Sequence, residues 1–162
     1  MTNVMIRQPG YMPNLGFFKK IQSSDIFVFL DDVQFSKDSF DNRNQIKTNF
    51  GPEWITVPLN RPVFEKKINE VSISYETNWI KEHCNKIFEN YKSTTYFSSY
   101  WYEIEKILNR KHELLIQLNF ELIKYFIKIL DIHTKTVKSS ELSISKIKTE
   151  RLIEICLKLN AK

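Results

Sequence analysis

The sequence predicts an α/β protein with a mostly parallel sheet and a helical insertion. Three observations carry this. Two short apolar runs, Val4–Gln8 and Ile26–Leu30, are joined by a Pro/Gly loop and an amphipathic stretch. That is strand, helix and strand within about 30 residues, the size of one parallel crossover unit. Residues 77–130 then carry helical periodicity, and an alternating segment followed by a last amphipathic stretch returns the chain to strand and helix.

Each element has its own local signal. Val4–Gln8 stops at Pro9, and Pro9-Gly10-Tyr11-Met12-Pro13 turns the chain. Asn14 suits the cap of a helix reaching Gln22, with Leu15, Phe17, Phe18 and Ile21 on it, and Ser23-Ser24-Asp25 ends that helix. Ile26–Leu30 is continuously apolar, as in a strand buried on both faces. Gln45–Asn49 and Trp54–Leu59 flank Phe50-Gly51-Pro52-Glu53, which predicts a hairpin turning on those four residues. Val71–Ser74 is expected to add a strand. Thr77 is the expected cap of a helix over 78–91, where Trp79, Ile80, His83, Ile87 and Tyr91 recur at helical spacing. A second helix starts at Ser98 or Ser99 and runs to about Arg110. A third spans Glu113–Leu130, with Leu115, Leu118, Leu122, Phe126 and Ile129 opposite Gln117, Glu121, Lys124 and Lys128. Thr134–Lys138 alternates like a strand, and Lys148–Leu159 is a last helix with Leu152, Ile155, Cys156 and Leu159 inward. With no repeat and no flexible linker, residues 1–162 read as a single domain with 77–130 as the insertion. Leu159-Asn160-Ala161-Lys162 stands where an α/β fold enters its next strand.

Composition narrows the classes. A chain of 162 residues, 42% hydrophobic, can bury a core without a disulfide or metal. Only 3 Gly and 5 Pro exclude collagen-like and low-complexity chains. The densest apolar stretch, 114–130, is broken by Gln117, Asn119, Glu121, Lys124 and Lys128, so no span of ~18 residues suits a membrane helix. The opening MTNVMIRQPG has no signal-peptide core. A cytoplasmic location is expected, in which Cys84 and Cys156 stay reduced. The net charge is +5, but the basic residues, 19 Lys and 5 Arg, are scattered. With abundant Ile and Asn and the single Ala161, this reads as the codon bias of an AT-rich genome, and nucleic acid is not the expected partner.

Three polar constellations are candidate sites. Asp31-Asp32-Val33-Gln34 follows the second strand, and ligand crevices of open α/β sheets lie outside strand carboxyl ends, where Gln8 and Pro9 also sit. One carboxylate there can hold Mg²⁺ or a ligand hydroxyl, or act as a base; the alternative is a solvated turn. In Asp41-Asn42-Arg43-Asn44-Gln45, Arg43 among amides suits a bidentate grip on phosphate or carboxylate, or the segment is a polar turn. Lys146-Ile147-Lys148-Thr149-Glu150-Arg151 opens the last helix and is an anion site or an ordinary capped start. His83, His112 and His133 show no zinc-ligand spacing with either cysteine. There is no GxSxG, P-loop or GxGxxG, and Trp54, Trp79 and Trp101 read as core.

Residues Gln8 through Phe18, Phe27 through Phe35, Asn42-Arg43-Asn44-Gln45-Ile46, Trp54 through Leu59, Leu118-Asn119, Ser139-Ser140-Glu141-Leu142 and Lys148 through Leu152 together resemble the WbqC-like family, in order along the whole chain. The resemblance implies a prokaryotic protein from cell-surface polysaccharide gene clusters. It implies a transferase that attaches an aminoacyl or acyl group to an activated, nucleotide-linked amino sugar. Phe40 stands where members often carry Trp, and members run on past the last helix with a Tyr-Leu-Ser-Gly-like strand and a His-Pro segment, whereas this sequence stops at Lys162. A more distant resemblance is to nucleotidylyltransferase-like (HUP-like) proteins in the opening strand, Pro/Gly loop, helix and strand. Their His-x-Gly-His motif has no counterpart, since no His precedes His83.

The expected site follows. Asp31 or Asp32 acts as base or metal ligand. Gln8, Pro9, Tyr11, Gln34, Arg43, Asn44, Lys148 and Arg151 bind the substrate, with ATP or Mg²⁺ as candidate cofactors. An enzyme needs Gln8, Asp32 and Arg43 on one cleft. The alternative is a non-catalytic nucleotide- or sugar-binding scaffold of a polysaccharide assembly complex. Self-association through an exposed sheet edge is a further expectation.

Overall fold

A computed structural model describes residues 2–37 and 39–161. Strands β1 (Val4–Arg7) and β2 (Ile26–Phe29) run parallel, with Val4 beside Ile26 and Arg7 beside Phe29. Helix α1 (Leu15–Gln22) connects them, and the Asn14 side chain accepts the Phe17 N–H at 3.2 Å as its cap. Phe27, Val28 and Phe29 are all buried, which is why this run has no polar alternation.

The hairpin β3 (Arg43–Thr48) and β4 (Gly51–Thr56) forms a separate antiparallel pair. Its turn falls on Asn49-Phe50 rather than on Phe50–Glu53. The Thr48 hydroxyl closes the turn, donating to the Gly51 carbonyl at 2.7 Å and accepting the Phe50 N–H at 3.2 Å. Gly51 holds φ +113°, which only glycine adopts without strain, and Pro52 is tolerated in a two-stranded ribbon where a strand edge needs no N–H. Val71–Ser74 does not form a strand. Ser72 and Ile73 make single bridges to Leu114 and Leu59, and Leu114 turns at once into a helix, so no ladder can grow.

Three helices follow: α2 (Trp79–Tyr91), α3 (Phe97–Asn109) and α4 (Leu115–Ile129). The cap of α2 is Asn78, one residue past the expected Thr77, and α3 starts one residue before Ser98. Strand β5 (Lys135–Lys138) then pairs in parallel with β2, giving the sheet order β1-β2-β5, and α5 (Lys148–Lys158) closes the pattern. The expected α/β architecture with a mostly parallel sheet is therefore present. Ala161 makes a parallel bridge to Thr2, at the place where the sequence predicts a next strand; Lys162 lies outside the described residues.

Two apolar clusters hold these parts together. Phe18, Ile21, Phe27, Phe29, Ile123 and Ile132 pack under the sheet. Ile46, Ile55, Trp79, Trp101, Leu115, Leu118 and Leu122 belong to the larger cluster between the hairpin and the helices. Helix α4 serves both, with Leu118 and Leu122 in one and Ile123 in the other. It ties the helical segment to the sheet and carries Asn119 to the cleft described next.

Candidate functional site

The carboxyl end of β1 opens into a cleft of about 380 Å³, bounded by the Pro/Gly loop, the start of α1 and residues 39–44. Gln8, Asn14, Lys20, Asp41 and Asn44 bring polar groups to it. The walls are fixed by buried hydrogen bonds. Fully buried Asn119 donates to the Pro9 carbonyl at 3.0 Å and to the Asp41 carbonyl at 2.8 Å, clamping one wall to the other. Asn44 donates to the Met12 carbonyl at 2.7 Å, holding Met12 in a left-handed conformation with φ 43°. Gly10 is needed where the loop meets residue 40: a Cβ there would lie 2.8 Å from the Phe40 carbonyl oxygen.

Charge in the cleft is mixed. Arg7 and Lys20 are exposed cations on its lining. Asp41 is buried, with the Ser39 hydroxyl donating to its carboxylate at 2.7 Å. Burial pushes the Asp41 carboxyl above its ordinary range, against the opposing hydrogen bonds from Ser39 and the Ser36 backbone. Of the residues that the sequence singles out for a substrate, Gln8, Tyr11 and Asn44 line this cleft, beside Arg7, Lys20 and Asp41, which it does not assign to one. Asp41 stood inside a constellation already singled out, yet nothing local marks it as buried.

Tyr11 borders the cleft but is fully buried, and its hydroxyl lies 2.9 Å from His83 Nδ1. Burial pushes the phenol up and pushes the His83 ring down to about 4, with the Thr56 backbone opposing and Lys86 assisting. The ring is therefore neutral, and the phenol donates to it. Pro9 is buried behind the cleft wall, its carbonyl held by Asn119.

The carboxylates after β2 lie elsewhere. Asp31 accepts the Ser140 N–H at 3.0 Å, the Ser140 hydroxyl at 2.7 Å and the Ser139 hydroxyl at 3.1 Å. Asp32 is hydrogen-bonded by Ser139 and ion-paired with Arg151, which is itself buried. Burial raises the Asp32 carboxyl, but Ser139 and the Arg151 guanidinium outweigh it and leave it below its ordinary range. Such a donor-filled pair is a poor fit to Mg²⁺, which wants open carboxylate oxygens and its own waters. No group of three or more His, Cys, Asp or Glu suited to a metal occurs among the described residues.

Arg43 lies over the Trp54 ring at 4.4 Å and lines a different cavity of about 560 Å³, with Lys37, Arg61 and Phe64. Gln34 is exposed and bridges Lys67, and Lys148 is exposed at the start of α5. Gln8, Asp32 and Arg43 thus do not meet on one cleft: the first lines it, the second is inside an ion-paired network, and the third faces another cavity.

Fold and site together define an α/β protein with a polar cleft, its walls hydrogen-bonded together, at the carboxyl end of its first parallel strand. The chain belongs to the WbqC-like protein family, which it matches over residues 8–162. It is similar to the uncharacterized protein Rv1507c of Mycobacterium tuberculosis, at 35% identity over 158 residues, covering 96% of this chain and 68% of that protein. No solved structure matches the chain. Among the described residues, no helix is long and apolar enough to cross a membrane.

Proposed function

We propose that the protein is a cytoplasmic transferase of cell-surface polysaccharide biosynthesis, moving an aminoacyl or acyl group onto an activated amino sugar bound in the cleft. The observation that carries this reading is the pairing of one buried carboxylate, Asp41, with the rim cations Arg7 and Lys20 around the amides of Gln8 and Asn44. A substrate with both an amine and a phosphate matches that mixture. The reaction class is the one that the resemblance to the family implies. In the reaction, the ammonium first loses a proton, the amine nitrogen then bonds the acyl carbon as the bond from that carbon to its leaving group breaks, and the second proton of the nitrogen leaves with the departing group. A carboxylate with a raised pKa beside the cleft suits that transfer. Arg7 and Lys20 take the anion-holding role expected of Arg43, Lys148 and Arg151. Asp31 ties the end of β2 to Ser139 and Ser140 just past β5, and Asp32 ties it to Arg151 on α5. The β1–α1–β2 unit is read as HUP-like, offering the start of α1 to a phosphate.

The test is a thermal-shift panel of nucleotide-linked amino sugars, with and without ATP, followed by mass spectrometry of reaction mixtures. A ligand at 100 times its Kd stabilises by about 2.7 kcal/mol, which a melt resolves. No shift with any nucleotide-sugar sinks the reading. The second reading is a non-catalytic scaffold, favoured by the separation of Gln8, Asp32 and Arg43. Binding without product formation would select it. Strand β1 has a full-length strand neighbour on one side only among the described residues. A second copy would add along the side of β1 away from β2, beyond the Thr2–Ala161 bridge, and light scattering reads that.

A further inference from the structure

An uncharged trough lies on the far side of the Pro/Gly loop from the cleft. It has a volume of about 550 Å³ between α2, α3 and α4, with Ile87, Tyr91, Trp101, Ile104 and Phe126 among its walls and no charged residue on its lining. A second section of about 410 Å³ shares Met12, Ile46, Tyr91, Phe126 and Ile129 with the trough. That section also shares Pro13, Asn14 and Asn44 with the polar cleft. The three cavities therefore follow one another around Met12–Asn14, and charge changes along them. The exposed Arg7 and Lys20 and the buried Asp41 stand at one end, and the other end has no charged residue.

We propose that the trough holds the hydrocarbon chain of an acyl compound whose anionic head reaches the Arg7 and Lys20 rim of the cleft, beside the phosphate of the amino sugar that the same two cations receive. The inference rests on the reading of the cleft as a substrate site, and it adds the class of donor. Charge complementarity argues for this occupant. A docked protein helix brings a polar rim that wants partners at the groove edges, whereas this lining offers charge only at its cleft end. Asn44 and Asn119 fix the loop that separates head from tail, so the junction is preformed.

Trp101 lines the trough, so its fluorescence reports filling. Titration with the carboxylates from hexanoate to dodecanoate should show affinity rising about fourfold per methylene until the trough is full, since burying a CH₂ is worth about 0.8 kcal/mol. Ile129→Lys, on the half-buried wall common to both sections, should weaken dodecanoate more than tenfold and leave nucleotide-sugar binding intact; Ile87→Lys serves if that variant does not fold. Replacing Arg7 and Lys20 with Ala should weaken dodecanoate but not dodecanol. Affinity independent of chain length, or unchanged in the folded trough variants, overturns the proposal. So does a dimer, seen by light scattering, that Ile129→Lys splits. Chain-length-dependent binding without any nucleotide-sugar binding would leave the trough standing and bring down the amino-sugar reading instead.

Discussion

The cleft at β1 and the cluster at β2 both sit at carboxyl ends of parallel strands, and both are rich in polar side chains, yet they are built to opposite ends. Around Asp31 and Asp32, two serines and a buried arginine supply donors to the carboxylates, and the group fills its own space. Around Asp41, hydrogen bonds hold the walls through backbone carbonyls and leave a cavity of about 380 Å³ between them. Polar density alone does not make a site. What distinguishes one is polar groups held in place by something other than each other.

The two regions should therefore fail differently, and the largest effect belongs to the closed one. Arg151→Ala strands the Asp32 carboxylate in a side-chain environment only 17% exposed. Breaking such a pair costs about 3–5 kcal/mol, so denaturant melts should show a large fall in stability. Replacing both partners with apolar residues should recover much of it. Ligand binding at the cleft, measured below the melting temperature, should be unchanged. A stability loss under 1 kcal/mol would mean the cluster is not structural.

Next in size is the pH response of the core behind the cleft. Burial holds the His83 ring down at about 4, while in the unfolded chain it titrates near its ordinary 6.5. A depressed folded value means the contribution is complete above pH 6.5 and is lost as pH falls toward 4. The full swing is about 3 kcal/mol. Urea melts at pH 7 and pH 4.5 should differ accordingly, and His83→Gln should flatten the difference. An unchanged slope in that variant removes His83 from the account.

How much of this was legible follows the distance over which each feature is made. The β1–α1–β2 opening could be read because its signals are local: the Asn14 cap, the Pro/Gly loop, and the unbroken Ile26–Phe29 run. The hairpin was legible but its turn was not, because a Thr48 hydroxyl rather than the Gly-Pro pair closes it. Gln8 and Asn44 could be picked out by their neighbours. Asp41 could not, since its place depends on Asn119, 78 residues away in sequence. The reverse error, reading Asp31-Asp32 as open, has the same cause: Ser139 and Arg151, 108 and 119 residues on, close that cluster.

A smaller effect, of opposite sign, is expected at Asp41. Burial raises its carboxyl, so the folded state prefers the protonated form. Stability from this group is present below the ordinary carboxyl range near 4 and is lost as pH rises through the raised value. Asp41→Asn keeps an acceptor for the Ser39 hydroxyl and removes the buried charge. The variant should be slightly more stable than the parent at pH 7, the gap closing below pH 4, while any amine-bearing ligand binds more weakly. A destabilised Asp41→Asn that binds normally would place Asp41 among the structural groups, beside Asp32.

The smallest stability effect is expected at Gln8, and it is the sharpest test of the contrast. Gln8 is half-buried on the cleft lining, and no hydrogen bond to its side-chain amide occurs among the described residues. Truncating it therefore strands no buried partner, and substitutions of that kind usually stay within about 0.5 kcal/mol. If the amide faces a ligand, its removal costs the hydrogen bonds made only in the complex, about 0.5–1.5 kcal/mol for a neutral pair, or roughly two- to tenfold in Kd. Gln8→Ala should thus leave the melting curve in place and weaken nucleotide-sugar binding. Calorimetry alongside thermal melts separates the two quantities. A variant that loses stability but not affinity would show that Gln8 belongs to the same kind of closed polar packing as Asp31, and would remove the cleft's claim to be the open one of the pair.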